Sequence, residues 1–348
     1  MHMADALISP AVGGAMWAAT AVTTVYCAKK VREGFDDRKV PLMGVLGAFI
    51  FAAQMLNFTI PATGSSGHLV GGLILAILLG PEAAFLVIAS VLTVQALFFA
   101  DGGLLALGAN IMNMGFTSVF IAYLLIYKRI VGAHPTRGRL VTGAILAAIV
   151  GLQIGAFGVV VETTLSGISA LPFGTFLAMM QPIHLGIGIV EGLVTAAVVL
   201  FVQRTQPELL SRVAERKKFT GLNLKPVLVG LLIVAVLSGV ALSWFASTNP
   251  DGLEWSIAKV TGSEELEGTD AGVHAASAEL QEKTSFLPDY GFKQSAEAVE
   301  GEAEVTWPSV DAGTSVAGLV GGALTLALAV LVGFVLRKRS VAHARPGI

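Results

Sequence analysis

Apolar residues in this chain come in long blocks, several of them followed by a cluster of cations, with little of the short alternation expected of a soluble fold. Windows of roughly 20 apolar residues are long enough to cross a bilayer as helices. Seven such spans are predicted before residue 205: about Leu7–Ala28, Pro41–Phe58, His68–Leu79, Pro81–Ala100, Leu104–Tyr127, Leu140–Val161 and Phe173–Val202. The third is short and breaks at Gly80-Pro81, so it reads as a partial or re-entrant span. Two more follow, about Pro226–Phe245 and Thr314–Leu336. The expected fold class is an all-α polytopic membrane protein. A seven-helix module over 1–205 is joined by a cytoplasmic linker over 206–225 to a two-helix module over 226–348. The last two helices flank an extracytoplasmic segment, 246–313.

Charge sets the expected orientation. Cations follow the first span (Lys29, Lys30, Arg32, Arg38, Lys39), the fifth (Lys128, Arg129, Arg137, Arg139), the seventh (Arg204 to Lys225) and the ninth (Arg337, Lys338, Arg339, Arg345). Nine spans with the N-terminus outside put all of these on the cytoplasmic side, as the positive-inside rule requires. Only Lys259, Lys283 and Lys293 fall elsewhere, all in 246–313. The chain is therefore expected to be multi-pass in the bacterial inner (plasma) membrane, with its C-terminus cytoplasmic. The outside segment is acidic (Glu264, Glu265, Glu267, Asp270, Glu297, Glu300, Glu302, Glu304) and poor in aliphatic residues, so a small or partly disordered lobe is expected. Its negative field would raise the local cation concentration.

Composition agrees. Hydrophobic residues make up 54% and charged residues 13%, with mean hydropathy +0.76; this is not a soluble composition. The one cysteine, Cys27, excludes an internal disulfide and a thiolate cluster, so a metal site must use nitrogen or oxygen donors. A basic n-region is missing before a long apolar run, so the N-terminus is expected to stay uncleaved.

Chemistry enters at Met1-His2-Met3-Ala4-Asp5-Ala6-Leu7-Ile8-Ser9-Pro10. The Met1 amine, the His2 backbone nitrogen and His2 Nδ1 can all bind one ion. Amine and amide close a five-membered ring; amide and imidazole close a six-membered one. With the amide deprotonated, three nitrogens share a plane and the fourth position stays open. That arrangement suits Ni2+ or Cu2+ better than tetrahedral Zn2+. The plain alternative is an exposed residue near a frayed end. His68 follows the outside loop Ile60-Pro61-Ala62-Thr63-Gly64-Ser65-Ser66-Gly67, at the same membrane face, and is the natural fourth nitrogen. It would otherwise be a helix-opening interfacial residue. Asp5, Ser65 and Ser66 are candidates to orient the imidazoles.

His184 and Glu191 are seven residues apart, hence on one helix face, within Gln181-Pro182-Ile183-His184-Leu185 through Glu191-Gly192. Ionisable groups at membrane depth default to functional hypotheses, with a structural pairing as the alternative. His134, His274 and His343 read as solvated. Gln54, Asn57, Asn110, Asn113, Gln153 and Glu162 read as interhelical hydrogen bonders rather than ligands. Ala11, Ala15 and Ala19 recur every four residues, a small-residue face that lets another helix approach closely. The sequence contains no G-x-x-x-x-G-K-[ST] loop, so this chain does not hydrolyse ATP by that route, and no H-E-x-x-H or G-x-S-x-G to suggest a hydrolase. A histidine-rich run of the kind expected in a self-sufficient nickel permease is also missing.

The opening motif, Thr63-Gly64-Ser65-Ser66-Gly67-His68-Leu69, and Gln181 through Gly192, in that order, resemble the CbiM/NikM family. Its members are the substrate-binding (S) components of energy-coupling-factor transporters for cobalt and nickel. The stretch around 226–340, with Pro250-Asp251-Gly252-Leu253-Glu254-Trp255, resembles the NikN/PDGLE accessory module. The resemblance implies a seven-helix fold and a metal held by the N-terminal amine, His2 and His68. It also implies a membrane T-component partner that docks on the alanine-spaced face, and cytoplasmic ATPase subunits. The expectation is a non-catalytic transporter subunit that takes Ni2+, alternatively Co2+, as substrate and binds no ATP. Other readings are a self-sufficient channel or secondary transporter, and a membrane enzyme or scaffold in which His2 is incidental.

Overall fold

The computed structural model describes residues 1–132, 135–266, 268, 271–293 and 307–343, with side chains to 337. Its helices are α1 (Pro10–Glu33), α2 (Lys39–Gln54), α3 (Gly72–Leu79), α4 (Pro81–Phe98), α5 (Leu107–Val131), α6 (Arg137–Ser166) and α7 (Phe173–Thr205), then α8 (Pro207–Ala214), α9 (Lys225–Val240), α10 (Gly252–Thr261), α11 (Gly272–Thr284) and α12 (Ala312–His343). Strands β1 (Phe58–Ile60) and β2 (Ser65–Gly67) pair antiparallel between α2 and α3, with Phe58 opposite Gly67 and Ile60 opposite Ser65.

Among the described residues six helices are long and apolar enough to cross a membrane: α1, α4, α5, α6, α7 and α12. The nine expected spans thus resolve differently. At 16 residues each, α2 and α9 reach about 24 Å, short of a hydrocarbon core of roughly 30 Å. The third span is an 8-residue helix. Gly71 (φ +78°) opens it, and Gly80 (φ +85°) followed by Pro81 ends it and starts α4. All eight residues of α3 are buried, as a helix apolar on every side must be.

Local signals place the long helices. Ser9 caps α1, accepting from the Val12 amide, with Pro10 in its first turn and Lys30 and Arg32 in its last. Asp251 and Glu254 form a reciprocal capping box on α10. Phe51, Phe85, Phe99, Leu42 and Leu46 fill the centre of the bundle. The last two apolar helices, α9 and α12, both pack on α2, so the second module lies directly against the first.

Several intramembrane polar groups bond between elements, as the sequence suggested. Asn113 Nδ2 donates to Glu162 Oε2 (2.6 Å), Gln95 Nε2 to Gln54 Oε1 (2.8 Å), and the Gln153 and Gln181 side chains bond each other's backbone carbonyls. Within 246–313, α10 and α11 dock on the membrane bundle, with Gln281 Nε2 donating to the carbonyls of Ala96 (2.8 Å) and Gly102 (2.7 Å). One expectation needs correction: His274 is not solvated. It is buried with Nε2 2.9 Å from Ile8 O, because α11 lies on the N-terminal segment. Glu264 and Glu265 are exposed, whereas Glu267, Asp270, Glu297, Glu300, Glu302, Glu304 and His134, with the side chain of His343, lie outside the described residues.

Candidate metal centre

Residues 1–9 are threaded into the bundle rather than frayed. Met1, Met3, Leu7 and Ile8 are buried. Asn110 on α5 holds Met3 on both sides, accepting from its amide (2.8 Å) and donating to its carbonyl (3.1 Å). The Gly103 amide also donates to Met3 O. With residue 3 pinned, the amine of Met1 is set in the interior. It donates to Asp251 Oδ2 at 2.8 Å and lies 3.4 Å from His68 Nε2.

The two imidazoles stack, with ring centroids 5.0 Å apart and planes inclined by 20°. His68 Nδ1 lies 3.0 Å from Leu69 O. A carbonyl only accepts, so Nδ1 carries the proton and Nε2 offers its lone pair toward the amine. His2 Nδ1 faces Asp101 Oδ1 at 3.2 Å, and His2 Nε2 is buried without a hydrogen-bond partner among the described residues. Asp101 also accepts from the Tyr290 hydroxyl. Burial, and then the neighbouring amine, push the His2 imidazole down to about 3 and His68 in the same direction, so both rings are neutral and able to ligate. Burial would raise the Asp251 carboxyl, but the amine and His68 outweigh it and hold the group well below the usual carboxylate range.

Each donor is held by a long-range contact. Asp251 divides its oxygens: Oδ1 caps α10, accepting from the Leu253 and Glu254 amides, while Oδ2 meets the amine. The turn before α10 is fastened to the β1–β2 hairpin. Ser66 donates through its amide to Pro250 O (2.7 Å) and through its hydroxyl to Asn249 O (2.8 Å), and Trp255 Nε1 donates to Thr63 O (3.0 Å). Glu191, fully buried on α7, accepts from the Val70 amide at Oε2 (2.9 Å) and the Gly71 amide at Oε1 (3.0 Å). These are the amides that follow His68 and Leu69, so Glu191 fixes where the imidazole emerges.

Met1, His2 and His68, singled out in the sequence, are thus brought together. His184 lines a small cavity with Met1 and His68. It shares a helix face with Glu191, as the spacing required, but the two are not paired; Glu191 serves α3 and His184 Nδ1 lies 2.8 Å from Met180 O. Asp5, Ser65 and Ser66 do not bond the imidazoles. Asp5 Oδ1 accepts from the Ala106 amide, and the serines bond backbone carbonyls at residues 66, 249 and 250. On α1, Ala11 and Ala15 are exposed and Ala19 half-buried. The residues missed were Asp101, Asp251 and Tyr290. Of these only Asp251 carried a signal, the Asp-x-x-Glu spacing of a helix cap. Among the described residues no three His, Cys, Asp or Glu side chains close around one point as metal ligands would; an amine-based site takes donors from the main chain instead.

Comparison with other proteins gives the family. Residues 2–209 match the family described as cobalt uptake substrate-specific transmembrane region, and residues 225–338 match the PDGLE domain. A putative fused nickel transport protein of Archaeoglobus fulgidus is 32% identical over 97% of this chain and 98% of its own. A putative metal transport protein of Haloquadratum walsbyi is 36% identical over 65% of this chain and 98% of its own. A crystal structure of a truncated transition metal transporter superposes with TM-score 0.53 at 32% identity, covering 59% of this chain and 99% of that one. The chain belongs to the cobalt uptake substrate-specific transmembrane family and carries a PDGLE domain behind that region in the same polypeptide.

Proposed function

We propose that this chain is the substrate-binding membrane component of an energy-coupling-factor uptake system, with Ni2+ as its substrate and Co2+ as the alternative. The observation that carries this reading is the buried Met1 amine, 3.4 Å from His68 Nε2, whose ring stacks on that of His2. In the proposed site the Met1 amine, the His2 amide and His2 Nδ1 chelate the ion, and His68 Nε2 completes the plane. His2 Nδ1 now faces Asp101, so chelation requires the ring to turn away from that carboxylate. Binding also displaces protons from the amine and the amide. Asp101 and Asp251 stay beside the ion and offset its charge inside a low-dielectric site.

The membrane T-component would dock on α1, whose window in the membrane is only 17% buried, at Ala11, Ala15 and Ala19. Partner ATPases on the cytoplasmic side would supply the energy. With α2, α3 and α9 taken as short crossings beside the six long helices, the positive-inside pattern would put the N-terminus and the proposed metal centre outside and the C-terminus in the cytoplasm. Residues 1–205 form the substrate module, 206–225 the linker and 226–348 the accessory module. The nickel relatives support Ni2+ first, since the match to the Archaeoglobus protein runs through both modules. A self-sufficient channel predicts nickel entry into liposomes holding this chain alone. The S-component reading predicts entry only when the T-component and ATPases are co-reconstituted with ATP; flux through the chain alone would contradict it.

A further inference from the structure

A crevice of about 400 Å³ runs between α2 and α12 and shares no lining residue with the candidate metal centre. Its apolar walls are Val40 and Val45 on α2 and Leu326, Val330 and Phe334 on α12. The three on α12 recur every four residues, so they form one face of that helix. At one end the crevice meets an ion pair, Arg337 Nε to Asp37 Oδ1 at 2.9 Å. α12 is one of the helices long and apolar enough to cross a membrane, and Arg337 stands at the end of its apolar stretch. From Leu326 to Arg337 the helix rises about 16 Å, close to the roughly 15 Å of one leaflet, half the hydrocarbon core. The crevice therefore extends from the membrane interface to about the midplane.

Drawing the two helices together does not close it, because they already touch beside it. A Cβ built on Gly44 would stand 2.7 Å from Val330 Cγ2, and one built on Gly333 would stand 2.8 Å from Val40 Cγ1. Water does not suit it either, since the apolar walls lack the two to four polar partners a bound water needs. Left empty, the walls forfeit their dispersion contacts. Phe334 is half exposed, so the crevice opens sideways to the bilayer, whose acyl chains are the apolar material at hand.

The mouth adds a headgroup signal. Arg337 engages Asp37 through Nε alone, and its Nη groups have no partner among the described residues. A guanidinium fork matches the paired oxygens of a phosphate. Arg337 also begins the run Arg337-Lys338-Arg339, so this end of the helix is cationic by sequence despite Asp37. Cation clusters at the ends of membrane helices attract anionic lipid.

We propose that this crevice binds one anionic phospholipid, with an acyl chain between α2 and α12 and the phosphate on Arg337. The lipid then lies on the seam between the two modules and fills contacts that neither supplies. The proposal stands apart from the metal centre and does not depend on it.

The test uses the purified full-length chain in vesicles of phosphatidylglycerol and phosphatidylcholine in equal amounts. The chain is extracted in mild detergent, and the phospholipid that stays bound is counted by native mass spectrometry. The native chain is expected to keep about one phosphatidylglycerol, favoured about fivefold or more over phosphatidylcholine. Arg337→Gln is expected to lose that preference, and Val45→Trp, which fills the crevice, to keep neither lipid. Equal retention of the two lipids by the native chain would overturn the proposal, and so would native-like retention in Val45→Trp. A second measurement needs no substitution: photolabelling of the native chain by phosphatidylglycerol carrying a diazirine on its acyl chain. Label is expected at 40–45 and 326–334 well above that at Val22 and Val25, which are exposed on α1. Equal labelling of all these sites would reduce the crevice to ordinary bilayer contact and overturn the site.

Discussion

Glu191 and His184 share one face of α7, yet each serves a different part of the site. The Glu191 carboxylate takes the Val70 and Gly71 amides, and with them the start of α3 and the direction of His68. Replacing it leaves two buried N–H groups unpaired, at about 1–3 kcal/mol each. Glu191→Ala is expected to lower the melting temperature and weaken nickel binding together, and Glu191→Gln, which keeps one acceptor oxygen, to do so less. Unchanged melting in the alanine variant would contradict the clamp. At this scale the proposed metal donors were legible in the sequence as residues that come together. A histidine directly after the first methionine, and another closing a loop of glycines and hydroxyls, are local features. Asp251 was not, because its partner is 250 residues away. The Asp-x-x-Glu spacing marks a helix cap on one carboxylate oxygen but does not say where the other points.

Among the elements, the long apolar helices were legible from hydropathy, and so was the break at Gly80-Pro81. What hydropathy could not separate is a helix facing lipid from one enclosed by protein. Most of α2 and all of α3 are buried against other parts of the chain. α1 shows the opposite case. Thr20 Oγ1 donates to Gly108 O (2.8 Å) and Trp17 Nε1 to Leu104 O (3.0 Å), which tie one side of α1 to α5 and its approach loop. Another side of the helix, with Val22, Val25 and Tyr26, is exposed. If that face docks the T-component, Ala15→Trp will leave metal content and melting unchanged, since Ala15 touches no core. It will abolish ATP-driven uptake in the assembled complex by blocking close helix approach. Full uptake in this variant would move the docking face elsewhere.

Over the whole molecule, the second module does more than sit beside the first. Its two apolar helices pack on α2, and the segment between them reaches the candidate metal centre at two points, Asp251 on the amine and Tyr290 on Asp101. The composition of that lobe, acidic and poor in aliphatic residues, suggested a small or partly disordered one. Its described helices are ordered by contacts with the bundle instead: His274 on Ile8, Gln281 on Ala96 and Gly102, and Trp255 on Thr63. Such contacts come from the partner surface and leave no periodic trace in the lobe's own sequence. The central claim is that a free amine at Met1 is itself a ligand. Metal content after equilibration with nickel, compared between the native chain and a chain carrying one extra residue before Met1, tests it most directly. Every side chain keeps its place in the sequence while the amine is carried away from its chelating position. The account predicts about one nickel in the native protein, by the single-chelate stoichiometry of such a site, and none in the extended one. Equal nickel in both would contradict it.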